Sequence, residues 1–284
     1  MIVVKLFGGL GNQMFQYATA KNLAIQHNTK LYLDISWYSN IRKGTKRNFD
    51  LYNYSISGEL LSECLKRKLI IYNNRFLKYL PFPRKLRSIS EISFSYDPVI
   101  TTLKNDIYLN GYWQSYLYFN DSRKTLLDEF IPNIKMSINE DLRRKIISDP
   151  SSVAVHIRRT DYLSNPHHPV CEIEYYLKAE KKILESIKDP TYYIFSDDPD
   201  YVQQNIKFKN KTVNIIQGKD TFSSVEDLYL MSTCSNQIIA NSSFSWWGAW
   251  LNINPNKIVI APSRWFADEK IDTQHLCPTE WIKL

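Results

Sequence analysis

The sequence predicts an α/β protein of two domains with parallel sheets. Apolar, β-branched strands alternate with helical segments through the second half of the chain, a pattern typical of βαβ units. A length of 284 residues fits two domains of ordinary size, and 44% hydrophobic with 23% charged residues is typical of a globular chain. The turn-forming stretch Asp149-Pro-Ser-Ser152 then divides the chain into domains 1–150 and 151–284.

The elements follow from the periodicity of apolar side chains. In the first half we predict strands at 2–7, 30–33 and 106–110, and helices at 13–26, 118–130 and 137–147. In the second half we predict strands at 153–158, 191–196, 212–216, 237–241 and 257–261, and helices at 173–187, 199–206, 225–233 and 244–252. Between 35 and 105 no clear pattern emerges.

The net charge of +7 is concentrated in residues 64–90, which contain eight Lys and Arg and no acid. Interleaved apolar residues give two interpretations. One is a basic amphipathic face that docks on anionic lipid. The other, slightly favoured, is a solvated helix face in a variable insert. Nucleic acid is disfavoured as a partner, because no recognition module accompanies the charge.

Cysteine usage and the first residues predict the compartment. The four cysteines lie far apart without a C-x-x-C pair, so reduced thiols are expected. The first strand begins at Ile2 and no apolar run reaches membrane-spanning length, so we expect no signal peptide and no spanning helix. The expected location is the cytoplasm, with peripheral contact to the inner membrane face.

Polar clusters follow three strands of the second half. Because the carboxyl ends of parallel strands meet at one edge, we expect the clusters to line one pocket. The clusters are His156, Arg158, Arg159 and Asp161; Asp197 and Asp198; and Asn241, Ser242, Ser243, Phe244 and Ser245.

The residue types in these clusters suit a guanine nucleotide diphosphate. Adjacent arginines supply bidentate charge, and hydroxyl residues at a helix start present backbone N–H groups to phosphate. A carboxylate that accepts two N–H bonds matches the N1–H and the 2-amino group of guanine, a pair of donors that adenine lacks. Arginine then replaces a cation, so no metal and no cofactor are expected.

Other interpretations remain open for the same residues. The arginines can form ion pairs at a domain seam, and Asp197 or Asp198 can cap the helix that Pro199 starts. A metal-binding Asp198-Pro-Asp200 is disfavoured because Asp200 lies inside the predicted helix. Three tryptophans in the last predicted helix suit the core better than a sugar platform; they are Trp246, Trp247 and Trp250.

The glycine loop at 8–12 also follows a strand. Gly9-x-Gly11 with Asp34 mimics a dinucleotide fingerprint, but Met14 occupies the third small position, so the match is weak. We favour a loop that brings backbone amides, Asn12 and Gln13 into a cleft facing the second domain.

Three segments resemble the bacterial α-1,2-fucosyltransferases, whose wider relatives are the α-1,6- and protein O-fucosyltransferases. The segments are Gly8-Gly-Leu-Gly-Asn-Gln-Met-Phe-Gln-Tyr17, His156-Ile-Arg-Arg-Thr-Asp161 and Asn241-Ser-Ser-Phe-Ser-Trp-Trp-Gly248. The resemblance implies a GT-B-like fold, two Rossmann-like domains facing across a cleft. It also implies inverting, metal-independent transfer of L-fucose from GDP-β-L-fucose to the 2-hydroxyl of a galactoside.

The resemblance assigns roles residue by residue. Arg158 is expected at the β-phosphate, His156 against the nucleotide, and one acid of the Asp197-Asp198 pair on guanine. Residues 242–245 are expected at the diphosphate, and Asn12 with its glycine loop near the fucose. The catalytic candidates are Arg158, Asp161 and Asn12.

The resemblance does not assign a general base in this sequence. The α-1,6 relatives have a glutamate a few residues after the arginines, whereas residues 162–168 here contain no carboxylate. Asp161 is the first candidate; its alternative is a structural partnership with Arg158 or Arg159, and ion pairing lowers basicity. A dissociative path with little base assistance also fits.

The sequence therefore predicts a fucosyltransferase that decorates a galactose-terminated glycan, expected to be a lipid-linked O-antigen or other surface unit. The alternatives are transfer of another sugar from a GDP donor, and a non-catalytic nucleotide- or glycan-binding module. A nicotinamide oxidoreductase is a distant third because of Met14.

Overall fold

The computed structural model describes residues 1–39, 47–72, 84–133, 140–208, 212–216 and 223–284. The chain divides into two compact units, Met1–Asn133 with Asp272–Leu276, and Ile134–Ile271 with Cys277–Leu284. The division therefore precedes the expected boundary at 150. The reason is the helix before Asp149, whose Ile146 is buried in the core of the second unit.

Both units are layered α/β structures. The strands of the described residues are β1 (Ile2–Lys5), β2 (Leu31–Asp34), β3 (Glu59–Leu60), β4 (Leu69–Tyr72), β5 (Arg84–Ser90), β6 (Ile107–Asn110), β7 (Ser152–Ile157), β8 (Thr191–Ser196), β9 (Thr212–Ile216), β10 (Asn236–Ile238), β11 (Val259–Ala261) and β12 (Ile282–Lys283). The α-helices are α1 (Leu10–Gln26), α2 (Ser36–Ser39), α3 (Glu63–Arg67), α4 (Arg123–Glu129), α5 (Glu140–Ser148), α6 (Ile173–Leu184), α7 (Pro199–Asn205), α8 (Ser223–Thr233) and α9 (Ser243–Leu251).

The first unit contains a six-stranded sheet in the order β3-β2-β1-β6-β5-β4, and every neighbouring pair is parallel. Its central strand β1 is buried because Ile2, Val3 and Val4 are apolar on both faces. α1 begins at Leu10, earlier than the predicted Gln13, with Gly9 as its N-cap. Apolar and small side chains then bury most of the helix against the sheet.

The described parts of the basic segment 64–90 do not form one helix, contrary to the interpretation as a solvated helix face, and docking on anionic lipid stays a prediction. Its described parts are the end of α3 and the parallel strands β4 and β5. Leu86 and Ile89 of β5 are buried, whereas Arg87 is exposed. Arg75 and Lys78 lie outside the described residues.

The predicted helix 118–130 is also shorter than expected. Two 3-10 helices, Tyr116–Tyr118 and Asn120–Ser122, precede α4, and Asn22 ties them to α1 by donating to the Tyr118 carbonyl at 2.9 Å. Of the predicted helix 137–147, α5 is described from Glu140, and 137–139 lie outside the described residues.

The second unit contains a six-stranded parallel sheet in the order β12-β11-β10-β7-β8-β9. Counted along the chain from β7, this is the 3-2-1-4-5-6 order of a Rossmann sheet. β7 is buried throughout, with Val153 and Val155 in the core cluster that contains residues of α6, and Ala154 in the cluster that contains residues of α8. Helices therefore cover both faces, which confirms the predicted class.

The second half matches its predicted elements closely. β8 and β9 have the predicted bounds, and α6 to α9 differ by a few residues at their ends. Of the shorter strands, β10 ends at Ile238 rather than 241, since Ile239 and Ala240 already lead into the loop before α9. Among the described residues, no helix is both long and apolar enough to cross a bilayer.

Candidate active site

The sheet of the second unit places two of the predicted clusters side by side. β7 and β10 are neighbours, and the strand order reverses between them. Open α/β sheets bind ligands outside the carboxyl ends of the strands at such a point. Residues 158–162 leave the end of β7 there, and residues 239–243 leave the end of β10. The third cluster follows β8, on the other side of β7.

Arg158 is held by carboxylates from two strand ends. Its Nη2 lies 2.7 Å from Asp161 Oδ1, and its Nη1 lies 3.1 Å from Asp197 Oδ2. Burial by itself lowers the pKa of Arg158, but the hydrogen bond to Asp161 and the charge of Asp197 outweigh it and raise that pKa. The guanidinium is therefore a fixed, permanent cation, and 21% of its side chain is exposed.

Asp197 shapes the turn after β7. Its Oδ1 accepts from the Arg159 backbone N–H at 2.9 Å, and its Oδ2 accepts from the Thr160 hydroxyl at 2.5 Å and the Thr160 N–H at 3.2 Å. These bonds orient the backbone that carries Arg158. Ion pairing of the arginines with nearby acids was one of the two interpretations of the sequence, and the structure shows Arg158 paired with two acids.

Asp198 caps a helix, as expected for one acid of the pair. Its Oδ1 accepts from the Tyr201 N–H at 3.2 Å at the start of α7, and its Oδ2 lies 3.3 Å from Arg159 Nε. The Arg159 guanidinium lies 3.3 Å from the centroid of the Tyr201 ring. Arg159 is therefore occupied by Asp198 and Tyr201, and the reading of guanine by Asp197 or Asp198 stays a prediction.

His156 lies inside the second unit rather than on its surface. Burial and the nearby charge of Arg158 lower its pKa to about 3, so the ring is neutral at physiological pH. Its ring packs 5.6 Å from that of Phe244, centroid to centroid. His156 thus links the end of β7 to the first turn of α9, and its contact with a nucleotide stays a prediction.

The Ser242–Ser245 segment forms the amino end of α9. Ser242 is the N-cap, and its Oγ accepts from the Phe244 N–H at 3.3 Å. Ser245 is fully buried and its hydroxyl donates to the Ala240 carbonyl at 3.4 Å, so its side chain faces the core. Ser243 and Phe244 are partly exposed at the helix start. The three tryptophans are buried, which confirms their predicted place in the core.

Asn241 joins three segments around this edge. Its Nδ2 donates to the Pro169 carbonyl at 2.8 Å and to the Trp265 carbonyl at 3.0 Å, and its Oδ1 accepts from Cys171 Sγ at 3.4 Å. The side chain is buried and holds loops in place. Trp265, which the sequence did not reveal as part of the site, is thereby held at the loop that follows β10.

The glycine loop of the first unit follows the end of β1. Gly8 has a φ of +80°, and a Cβ there would lie 2.8 Å from Asn12 Nδ2. Gly9 has ordinary backbone angles and open space around its Cβ position. Gly11 is buried in the first turn of α1, and Asn12 is partly exposed. The loop therefore needs glycine at Gly8, which was not among the predicted binding residues.

Gln13 is a scaffold residue in the structure rather than a ligand contact. It is fully buried; its Nε2 donates to the carbonyls of Gly8 at 3.1 Å and Asn48 at 2.8 Å, and its Oε1 accepts from the Asp50 N–H at 2.9 Å. With both amide atoms used, Gln13 fixes the loop to residues 48–51. We therefore correct the prediction that the Gln13 side chain binds the donor: its amide is hydrogen-bonded within the protein.

Gln114 and Glu91 support Asn12 and were missed in the sequence. Gln114 Nε2 donates to Asn12 Oδ1 at 2.8 Å, and Glu91 accepts from the N–H groups of Tyr112 at 2.6 Å and Trp113 at 3.0 Å. Burial raises the pKa of Glu91, while those two hydrogen bonds oppose the rise. The only available signal was the position of Gln114, a few residues beyond a predicted strand.

The acid of the dinucleotide pattern has partners inside the chain. Asp34 accepts from the Ser36 N–H at 3.0 Å and from the Tyr108 hydroxyl at 2.7 Å.

Among the described residues, no group of three or more His, Cys, Asp or Glu could hold a metal ion. Asp200 lies in the first turn of α7, as expected when the metal-binding interpretation was disfavoured.

Comparison with known proteins places this geometry in a family. Residues 1–284 match Glycosyl transferase family 11. An α-1,2-colitosyltransferase of Escherichia coli is 34% identical, with 100% of this chain and 99% of the relative covered. The O-antigen biosynthesis glycosyltransferase WbnK of Escherichia coli is 32% identical, with 98% and 99% covered. The galactoside 2-α-L-fucosyltransferase Sec1 of Mus musculus is 23% identical, with 88% and 64% covered.

A solved structure agrees at the level of the fold. The NodZ α-1,6-fucosyltransferase soaked with GDP-fucose aligns with a TM-score of 0.50 at 12% identity, over 88% of this chain and 92% of that chain. This likeness confirms the α/β, GT-B-like class. The match along the whole sequence goes further: the chain belongs to glycosyl transferase family 11, the α-1,2-fucosyltransferase family.

Proposed function

We propose that this chain transfers L-fucose from GDP-β-L-fucose to the 2-hydroxyl of a terminal galactose, with inversion and without a metal ion. One observation carries the proposal: in a family 11 chain, the Arg158 guanidinium and the amino end of α9 follow the carboxyl ends of the neighbouring strands β7 and β10. Fixed positive charge and a helix amino end suit the diphosphate of a nucleotide sugar.

In this proposal Arg158 stabilises the leaving group. As the bond from the sugar C1 to the β-phosphate oxygen breaks, negative charge grows on GDP, and a cation already oriented by Asp161 and Asp197 needs no reorganisation to meet it. Asp161 is the orienting partner of Arg158. This arrangement supports the loss of GDP but leaves the acceptor's proton to another group.

The remaining donor contacts are proposed by position. Asp198 is the acid that we assign to guanine, because 29% of its side chain is exposed against 18% for Asp197. Ser242 to Ser245 contribute through the helix start rather than through the buried Ser245 hydroxyl. Asn12, with Gly9 and Gly11, is assigned to the sugar.

A second donor has specific support. The relative that is 34% identical over its full length is named a colitosyltransferase. Colitose is fucose without its 3-hydroxyl, so a site that hydrogen-bonds this hydroxyl discriminates strongly between the donors, whereas an apolar pocket does not. We place GDP-fucose first because the more distant galactoside 2-α-L-fucosyltransferase also aligns over 88% of this chain.

We propose that the acceptor is a lipid-linked O-antigen unit that ends in galactose. The observation in favour is the relative of 32% identity named an O-antigen biosynthesis glycosyltransferase. An enzyme with a lipid-linked acceptor works at a membrane surface, and the basic residues of segment 64–90 are our candidates for holding it there.

The test is a donor and acceptor panel with purified protein. GDP-fucose, GDP-colitose and GDP-mannose are each incubated with β1,3- and β1,4-galactosides, with and without EDTA. We expect an α-1,2-fucosylated product, identified by NMR, at an undiminished rate in EDTA. Transfer from GDP-colitose alone would move the assignment to the second donor, and GDP binding without turnover on the whole panel would favour a non-catalytic module.

A further inference from the structure

His168 belongs to a stack of aromatic rings next to Arg158, the residue that we assign to the phosphate. Its imidazole stacks on the Tyr162 ring, with centroids 5.0 Å apart and planes 22° apart, and the Arg158 guanidinium carbon lies 5.7 Å from the centroid of the same ring. Phe266 covers the imidazole at 5.1 Å. The ring is therefore positioned at the same edge of the second unit as Arg158.

The loops around His168 are fixed. The Tyr162 hydroxyl donates to the Asn241 carbonyl at 3.1 Å, Asn241 Nδ2 binds the Pro169 carbonyl on the far side of His168, and the Ala267 N–H donates to the His167 carbonyl at 2.9 Å. A ring held by this many contacts can present one nitrogen in a defined direction.

Of the two imidazole nitrogens, one is hydrogen-bonded and Nδ1 has no partner among the described residues. The ring donates a hydrogen bond to the Trp265 backbone, whereas Nδ1 is buried and has no hydrogen-bond partner among the described residues. The N–H then belongs to Nε2, which leaves Nδ1 with its lone pair, the form of a proton acceptor. A buried acceptor without a partner is unusual in a folded protein and points to a functional use.

The charges around the ring favour its neutral form. Burial lowers the pKa of His168 and the neighbouring His167 lowers it further, while Asp161 raises it less. The 265–266 segment contributes a carbonyl and a phenyl ring, and Tyr162 contributes its ring face. A histidine that is neutral at pH 7 can take up a proton, and imidazole is the commonest general base in enzymes.

The spacing also suits the proposed chemistry better than Asp161 does. In an inverting displacement the acceptor enters opposite the leaving group, so base and leaving-group stabiliser stand apart; in inverting glycosidases the two groups are about 6.5–9.5 Å apart. Asp161 touches Arg158 directly at 2.7 Å. His168 and Arg158 both contact the Tyr162 ring, whose centroid lies 5.0 Å from the imidazole centroid and 5.7 Å from the guanidinium carbon, so the imidazole is positioned near the cation through a shared ring.

We propose that His168 is the general base that deprotonates the acceptor hydroxyl; this rests on the proposed function. The hydroxyl proton passes to Nδ1 as the acceptor oxygen bonds to the sugar C1. The bond from C1 to the β-phosphate oxygen breaks, its electron pair leaves with GDP, and the imidazolium later returns the proton to solvent. Catalytic hydrogen bonds often form only with substrate bound, so the covered Nδ1 is compatible with this role.

The experiment compares wild type, His168→Asn and the control Lys178→Asn, at an exposed residue of α6 that has no assigned role in the site. GDP affinity is measured by calorimetry, and transfer as kcat and kcat/KM against pH. We expect His168→Asn to bind GDP as wild type does, to transfer about 10²-fold more slowly or worse, and to lose the acidic limb of the pH profile. Lys178→Asn should stay within threefold of wild type.

The outcomes separate the two proposals. Transfer by His168→Asn within threefold of wild type, or an acidic limb that persists, overturns the base. A wild type that binds no GDP overturns the proposed function and the base with it. If His168→Asn does not fold, His168→Gln, which keeps a donor for the Trp265 carbonyl, takes its place under the same criteria.

Discussion

Arg158 is oriented by residues that are distant in sequence, and its role can be tested at that level. We expect Arg158→Ala to lower transfer by about 10²-fold or more, because the cation that meets the charge on departing GDP is lost. Arg144→Ala, an exposed arginine of α5, is the matched control. The measurement is kcat with GDP-fucose, and near-wild-type turnover by a folded Arg158→Ala would contradict the assignment.

The sequence predicted some residues of the site correctly and missed or misassigned others. The two arginines and the acids of the site were recognisable because polar side chains followed apolar strands. The structure pairs Arg158 with Asp161 and Asp197, and Arg159 with Asp198. Gln13 was misplaced because a sequence pattern does not tell which way a side chain on a buried first turn points. Gln114 went unnoticed because its contact with Asn12 spans 102 positions in the chain.

The glycine loop makes a prediction about an element. Gly8→Ala should destabilise the protein by about 1–2 kcal/mol or more, because an L-residue is strained in the left-handed region and its Cβ would press on Asn12. Gly9→Ala is the matched control, with ordinary angles and nothing within 4 Å of the added carbon. Urea unfolding should separate the two variants; equal midpoints would show that the loop tolerates the change.

α8 carries a titratable group whose effect depends on pH. Burial, and then the charge of Glu226, raise the pKa of Asp227 from 3.8 to about 7. Because the folded-state pKa is the higher one, ionisation opposes folding: the penalty is absent below 3.8, grows between the two values and is full above about 7.

Asp227→Asn should therefore raise the thermal unfolding midpoint at about pH 8 and leave it nearly unchanged at about pH 4. Asp141→Asn, an exposed acid of α5, is the control. Differential scanning calorimetry at the two pH values checks this. A midpoint shift of the same size at both would contradict the burial of the charge.

Elements were predictable where apolar patterning was regular. β8 and β9 were predicted to the residue because apolar, aromatic and β-branched side chains dominate both strands. β4 and β5 were not, since Leu86 and Ile89 of β5 stand among basic residues without strict alternation. What makes β5 a strand is its pairing with β4 and β6, a contact that local sequence does not encode.

At the scale of the molecule, the charge of +7 supports the proposed work at a membrane surface. Reversing Arg84, Lys85 and Arg87 to Glu should weaken sedimentation with anionic vesicles, because three positive charges of the basic segment become negative. The control reverses Lys178, Lys181 and Lys182 of α6, with the same change in net charge. Equal binding by both triple variants would attribute any attraction to net charge alone and contradict a localised docking surface.

The sequence by itself determined the α/β class, the elements of the second half, the family and the residue types of the site, because these follow from local periodicity and from short motifs at strand ends. The tertiary structure decided the division at Asn133, the strands of the basic segment and the partners of each site residue. It also decided that Asp161 pairs with Arg158, while His168 stacks on Tyr162, the ring that the Arg158 guanidinium also contacts. The physical reason is that hydrogen bonds, ion pairs and ring stacking depend on distances set by sheet order and loop packing, which no stretch of sequence contains.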